Sequence, residues 1–147
     1  MVPFNEYRPL SPPPSSPRRQ SVLLVDEDAK DLKHFTTLLE RMGYSVRAFA
    51  DYREAEGSLE HGYFDLVIMS QSSPDFDTRR LVAFTLGRDR YTPALVLTRC
   101  LKMKSYLEAM QLGVAGYFEK SLSPAELERL VATHCKPRGG EFSDLES

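Results

Sequence analysis

Three short runs limit most sharply what this chain can become: Val22-Leu23-Leu24-Val25, Leu66-Val67-Ile68-Met69 and Ala94-Leu95-Val96-Leu97. Each is apolar at every position and too short for a buried helix. A strand with one wet face alternates polar and apolar residues. An unbroken apolar run needs cover on both faces, as a strand inside a parallel sheet has. Between the runs the period changes to that of a helix. Leu32, Phe35, Leu38, Leu39 and Met42 share one face, and Gly43 stands where the helix should stop. Tyr44 to Phe49 reads as a second strand. Asp51-Tyr52-Arg53-Glu54 resembles a capping box that opens a short helix. A third helix turns Leu81, Val82 and Thr85 inward and is closed by Gly87. A fourth, over 103–112, turns Tyr106, Leu107 and Met110 inward and stops at Gly113. Gly116-Tyr117-Phe118 is a short fifth strand. Ser123-Pro124-Ala125-Glu126 opens the last helix, with a serine cap, a proline in the first turn and a glutamate three residues after the cap. Leu127, Leu130, Val131 and His134 form its apolar stripe.

Five strand–helix units in series imply a parallel sheet with helices on both faces. The expected fold is α/β, a flavodoxin-like (βα)5 doubly wound parallel sheet with strand order 2-1-3-4-5. Ligands of such folds sit at the carboxyl ends of the strands, where the order reverses. That rule gathers Asp26, Glu27, Ser70, Thr98 and Lys120 around one pocket. The domain is expected over 21–136. Residues 1–20 read as a disordered proline-rich tail, because proline fixes φ and lacks an N–H. The P-x-x-P spacings there suit an aromatic groove. Residues 137–147 read as a second flexible tail.

The 147 residues are enough for one domain with a full core. The net charge of -2 offers no basic face for nucleic acid. Cys100 and Cys135 form no C-x-x-C pair, and His34, His61 and His134 are scattered, so neither a metal site nor a disulfide framework is expected. No apolar run is long enough to span a membrane, and the N-terminus lacks the apolar core of a signal peptide. A soluble cytoplasmic protein, with no membrane or nucleic-acid partner, is the expectation.

Four segments, in order and at strand–helix spacing, then become specific. Leu24-Val25-Asp26-Glu27-Asp28, Phe64-Asp65-Leu66-Val67-Ile68-Met69-Ser70, Leu97-Thr98 and Gly116-Tyr117-Phe118-Glu119-Lys120 resemble the response-regulator receiver domain of two-component signalling, over about residues 21–135. In that family an acidic pair helps hold Mg²⁺, and an aspartate ending strand 3 accepts a phosphoryl group from a histidine kinase. A Thr or Ser and a Lys bind the phosphate. The resemblance implies that Asp26 and Glu27 are the acidic pair, Thr98 and Lys120 the phosphate-site equivalents, and Tyr117 the aromatic whose rotamer reports activation.

Two departures follow. Ser70 occupies the phosphoacceptor position, and Pro74 falls four residues later, where the family often has proline, so the alignment is firm. Asp75 and Asp77 lie beyond that proline and do not substitute. A carboxylate is an ionised nucleophile at neutral pH and a hard ligand for Mg²⁺; a serine hydroxyl is protonated and forms a stable ester. Arg99 follows Thr98 where the family usually has a small residue. Either Arg99 or Lys120 is expected to neutralise Asp26 and Glu27 in place of Mg²⁺, the alternative being an Arg99 that faces solvent. A lesser departure is Ser121, where the family commonly has a proline.

The reading is an atypical receiver, or pseudo-receiver. It is a protein–protein interaction module with no enzymatic activity, no aspartyl phosphorylation at Ser70 and no cofactor beyond weak Mg²⁺ at Asp26 and Glu27. Its partners would be signalling proteins, a histidine kinase or another regulator, or a second copy. The contact face would be helix 4, strand 5 and helix 5, with Lys104, Tyr106, Glu108, Tyr117, Glu119, Glu128 and Arg129. With no output domain attached, any effect would pass through another chain. Ser70 is read as a neutral filler, with a serine kinase target as the minor alternative. A receiver that still binds Mg²⁺ and switches is the first rival. A flavodoxin-like enzyme is the weakest, lacking a glycine-rich phosphate loop, a G-x-S-x-G elbow and a histidine beside a nucleophile.

Overall fold

The apolar runs form the interior of a five-stranded parallel sheet. The computed structural model describes residues 19–71 and 78–135. Most of the proline-rich N-terminal stretch, the C-terminal stretch after 136, and Pro74, Asp75 and Asp77 lie outside the described residues. The strands are β1 (Ser21–Val25), β2 (Ser45–Phe49), β3 (Leu66–Gln71), β4 (Ala94–Thr98) and β5 (Gly116–Glu119). The helices are α1 (Ala29–Arg41), α2 (Tyr52–His61), α3 (Arg79–Arg88), α4 (Met103–Leu112) and α5 (Pro124–His134). The strand order is β2-β1-β3-β4-β5, the expected 2-1-3-4-5. The chain steps outward from β1 to β2, then crosses back to β3, so the order reverses between β1 and β3.

Strand alternation sorts the core into two layers. Leu23, Val25, Val67, Met69 and Val96 face α2, α3 and α4, packing with Ala55, Leu59, Leu81, Val82 and Ala109. Val22, Leu24, Leu66, Ile68, Leu95 and Leu97 face α1 and α5, packing with Phe35, Leu39, Leu127 and Val131. Register brings the strand ends level: Val25 pairs with Met69, Met69 with Val96, and Val96 with Tyr117. The residues just beyond, Asp26, Ser70 and its neighbours, Thr98 and Lys120, therefore emerge along one edge.

The helix ends follow local chemistry. Asp28 caps α1 by accepting from the backbone N–H groups of Lys30 and Asp31. Ser123 and Glu126 complete a reciprocal capping box on α5, with Pro124 in its first turn. Gly113 ends α4 in the left-handed region at φ 104°. Two helix details differ from expectation. Gly87 does not close α3, which runs on to Arg88 and is ended by the Asp89 N–H donating to Thr85 O. In α4 the buried residues are the small Ser105 and Ala109, whereas Leu107 is 51% and Met110 38% exposed. Small side chains let α4 lie close, which turns its larger apolar residues outward. No helix among the described residues is long and apolar enough to cross a membrane.

Candidate functional site

Asp26 is the first residue past β1 and is 1% exposed. Its Oδ1 accepts from the Asp28 N–H at 2.9 Å. Its Oδ2 lies 2.8 Å from the Lys120 ammonium. Lys120, the first residue past β5, is 8% exposed, and its backbone N–H is tied to Thr98 O. The same ammonium reaches Asp31 Oδ2, on the first turn of α1, at 2.8 Å. Arg99, the first residue past β4, donates to Asp31 Oδ2 at 2.5 Å and to Asp28 Oδ2 at 3.2 Å. The result is one chain of charges, Asp26–Lys120–Asp31–Arg99–Asp28, that links the β1–α1, β4–α4 and β5–α5 loops. The Asp28 carboxyl titrates below the usual carboxylate range. The main cause is the Asp31 N–H it accepts; the Lys30 N–H and the Arg99 guanidinium add to it against desolvation.

Ser70 lies in β3, paired with Leu97, and its hydroxyl is enclosed without a hydrogen-bond partner. Its carbonyl accepts from the Tyr52 hydroxyl. At 2% exposure the Ser70 side chain is closed to a serine kinase, which argues against that alternative. The Thr98 hydroxyl is turned onto the backbone of Cys100, at 3.2 Å from both N and O. Tyr117 is buried, with its ring edge-on to Tyr106 at 5.9 Å between centroids. Burial pushes the Tyr117 phenol up; the Ser105, Thr98 and Gln71 side chains oppose this in part. These polar neighbours face the phenol without closing a hydrogen bond on it.

The neutralisation expected at Asp26 and Glu27 is divided differently. Lys120 takes Asp26, but Arg99 pairs with Asp28 and Asp31, and Glu27 is exposed. Arg99 is not turned away to solvent alone, although its side chain is 58% exposed. Asp31 has a central place that the sequence reading missed. Its visible trace is the Asp-x-x-Asp spacing from cap Asp28, which aims a first-turn carboxylate back at the strand ends. The network opens on a groove of ≈ 570 Å³ between α1 and the β5–α5 loop, lined by Asp31, Arg99 and Lys120 together with His34, Phe35 and Ser121 among others, and Ser70 is not part of it. On the α4–β5–α5 side, Lys104, Glu119, Glu128 and Arg129 are exposed, Tyr106 is half-buried, and Glu108 pairs with Arg79 at 3.1 Å.

A doubly wound sheet with acids, a hydroxyl and a lysine at its strand ends defines a receiver-type α/β domain. The chain belongs to the response regulator receiver family, whose family model matches residues 22–132. It is 29% identical over 128 residues to the response regulator protein PilR of Pseudomonas aeruginosa, covering 86% of this chain and 28% of that protein. It is 31% identical over 124 residues to the sensor protein GacS of Pseudomonas syringae, covering 81% of this chain and 14% of that protein. The chain thus spans well under half the length of these two relatives. A receiver domain crystal structure from Methanospirillum hungatei matches with TM-score 0.74 at 21% identity, over 79% of this chain and 93% of that one. A response regulator solution structure from Burkholderia multivorans matches with TM-score 0.67 at 28% identity, over 83% and 99%.

The family implies Mg²⁺ at this edge, and the donor set fits it poorly. Mg²⁺ favours anionic oxygens in near-octahedral array. Here Ser70 contributes no charge, and Asp26 is already closed on an ammonium. No group of three or more metal-binding side chains comes together among the described residues.

Proposed function

We propose that this domain is a pseudo-receiver, which works in two-component signalling by binding protein partners and carries no aspartyl phosphate of its own. The observation that carries the reading is Ser70, an enclosed neutral hydroxyl at the carboxyl end of β3. Attack on a phosphodonor needs the hydroxyl proton removed. Asp26, the acid at the adjoining strand end, is held on Lys120 and the Asp28 N–H. Such a domain has no enzymatic turnover and needs no cofactor.

The exposed apolar residues of α4 support a contact role. Met103, Leu107 and Met110 recur at helical spacing and are 65%, 51% and 38% exposed. Methionine-rich surfaces adapt to a partner's shape. Together with Lys104, Tyr106 and Glu119, and with Glu128 and Arg129 on α5, they make the α4–β5–α5 side the contact face for another signalling protein, a kinase or regulator, or for a second copy. The module acts inside the cell, where such partners are found.

Pulldown of signalling partners, or sedimentation of the chain alone, tests the face. Leu107→Lys with Glu119→Lys should abolish the association and leave the melting curve in place. Full retention of binding by this pair would remove α4–β5–α5 from the reading.

A further inference from the structure

Lys120 sits between two carboxylate oxygens, 2.8 Å from Asp26 Oδ2 and 2.8 Å from Asp31 Oδ2, with its own side chain 6% exposed. We infer that Lys120 is the resident counter-ion of this pocket, locked in place by Asp31 and Arg99, so that the domain holds its conformation without a divalent cation. The inference rests on the pseudo-receiver reading and deepens it.

A carboxylate as buried as Asp26 is strongly destabilising without a partner. Lys120 supplies that partner from within the chain. Asp31 does not belong to Lys120 alone, because Arg99 holds it from the solvent side and reaches Asp28 as well. Two fixed cations thus balance three aspartates across three loops. A divalent ion entering the pocket must displace the ammonium from Asp26 and Asp31 together. The displaced Lys120 would then lose both carboxylates. The ammonium is also tethered, and competes at the high effective concentration of an intramolecular group. Ser70 adds no negative charge to shift the contest.

The test is thermal unfolding of the full chain by circular dichroism, in chelator, in millimolar MgCl₂ and in NaCl of matched ionic strength. The wild type should melt at the same temperature in MgCl₂ and in the NaCl control. Lys120→Met should melt lower in chelator by roughly 5–10 °C, the size expected for breaking a buried pair. It should regain part of that loss saturably with MgCl₂ and not with NaCl, because Asp26 and Asp31 are then open to the ion. A saturable rise for the wild type in MgCl₂ would overturn the inference. So would a Lys120→Met chain that melts as the wild type does, or one that ignores MgCl₂. If Lys120→Met does not fold, amide NMR of the wild type during the same MgCl₂ titration decides. Unchanged Asp26 and Lys120 resonances uphold the counter-ion; saturable shifts reject it. A wild type that binds Mg²⁺ yet takes no phosphoryl group would sink the counter-ion and leave the pseudo-receiver standing.

Discussion

At the scale of the residue, the chemistry turns on which side chains carry charge at the strand ends. Lys120 and Asp26 are buried together, and Ser70 beside them is neutral. Tyr117 is a different case, since its buried hydroxyl closes no hydrogen bond. An unsatisfied buried polar group costs about 1–3 kcal/mol, so Tyr117→Phe should be neutral or stabilising in denaturant titration. The sign with pH also follows. A phenol raised by burial contributes stability that is fully present below its unfolded value, about pH 10, and lost as pH rises through the folded value. Tyr117→Phe should therefore lessen the loss of stability in the alkaline range. A variant as alkali-sensitive as the wild type would mean that Tyr117 is not the group responsible.

At the scale of the element, α1 and α5 rest on caps and apolar stripes, and α4 does not. Ser123→Ala removes the hydroxyl that accepts from the Glu126 N–H, one half of the α5 capping box, and should cost about 1 kcal/mol, read from the shift in unfolding midpoint. Leu39→Ala, in α1 at 0% exposure, should cost about 2–5 kcal/mol. Met103→Lys, at 65% exposure, should stay within about 0.5 kcal/mol of the wild type, since it leaves no cavity. β1, β3 and β4 were legible because they are apolar on both faces, and only the middle of a parallel sheet accepts that. The caps were legible because Ser123, Pro124 and Glu126 act within four residues of one another. The inner face of α4 was not legible. Periodicity follows large apolar residues, while this helix packs through Ser105 and Ala109. Gly87 misled for a related reason: it lies in α3, where packing outweighs its poor helix propensity.

At the scale of the molecule, the order reversal between β1 and β3 opens the edge where three loops meet, and that is why charges far apart in sequence come together. The Lys120–Asp31 and Arg99–Asp31 contacts span 89 and 68 residues. A pattern search within one helix cannot see such partners, so Asp31 went unread while Asp26 and Lys120 did not. Topology placed the pocket, but the choice of acid for each cation depends on side-chain reach. A pseudo-receiver takes up no phosphate on an aspartate. The most direct measurement is intact-mass spectrometry of the full chain after incubation with acetyl phosphate and Mg²⁺. An unchanged mass is expected. A phosphoryl adduct that hydroxylamine removes, marking an acyl phosphate on a carboxylate, would contradict the pseudo-receiver reading.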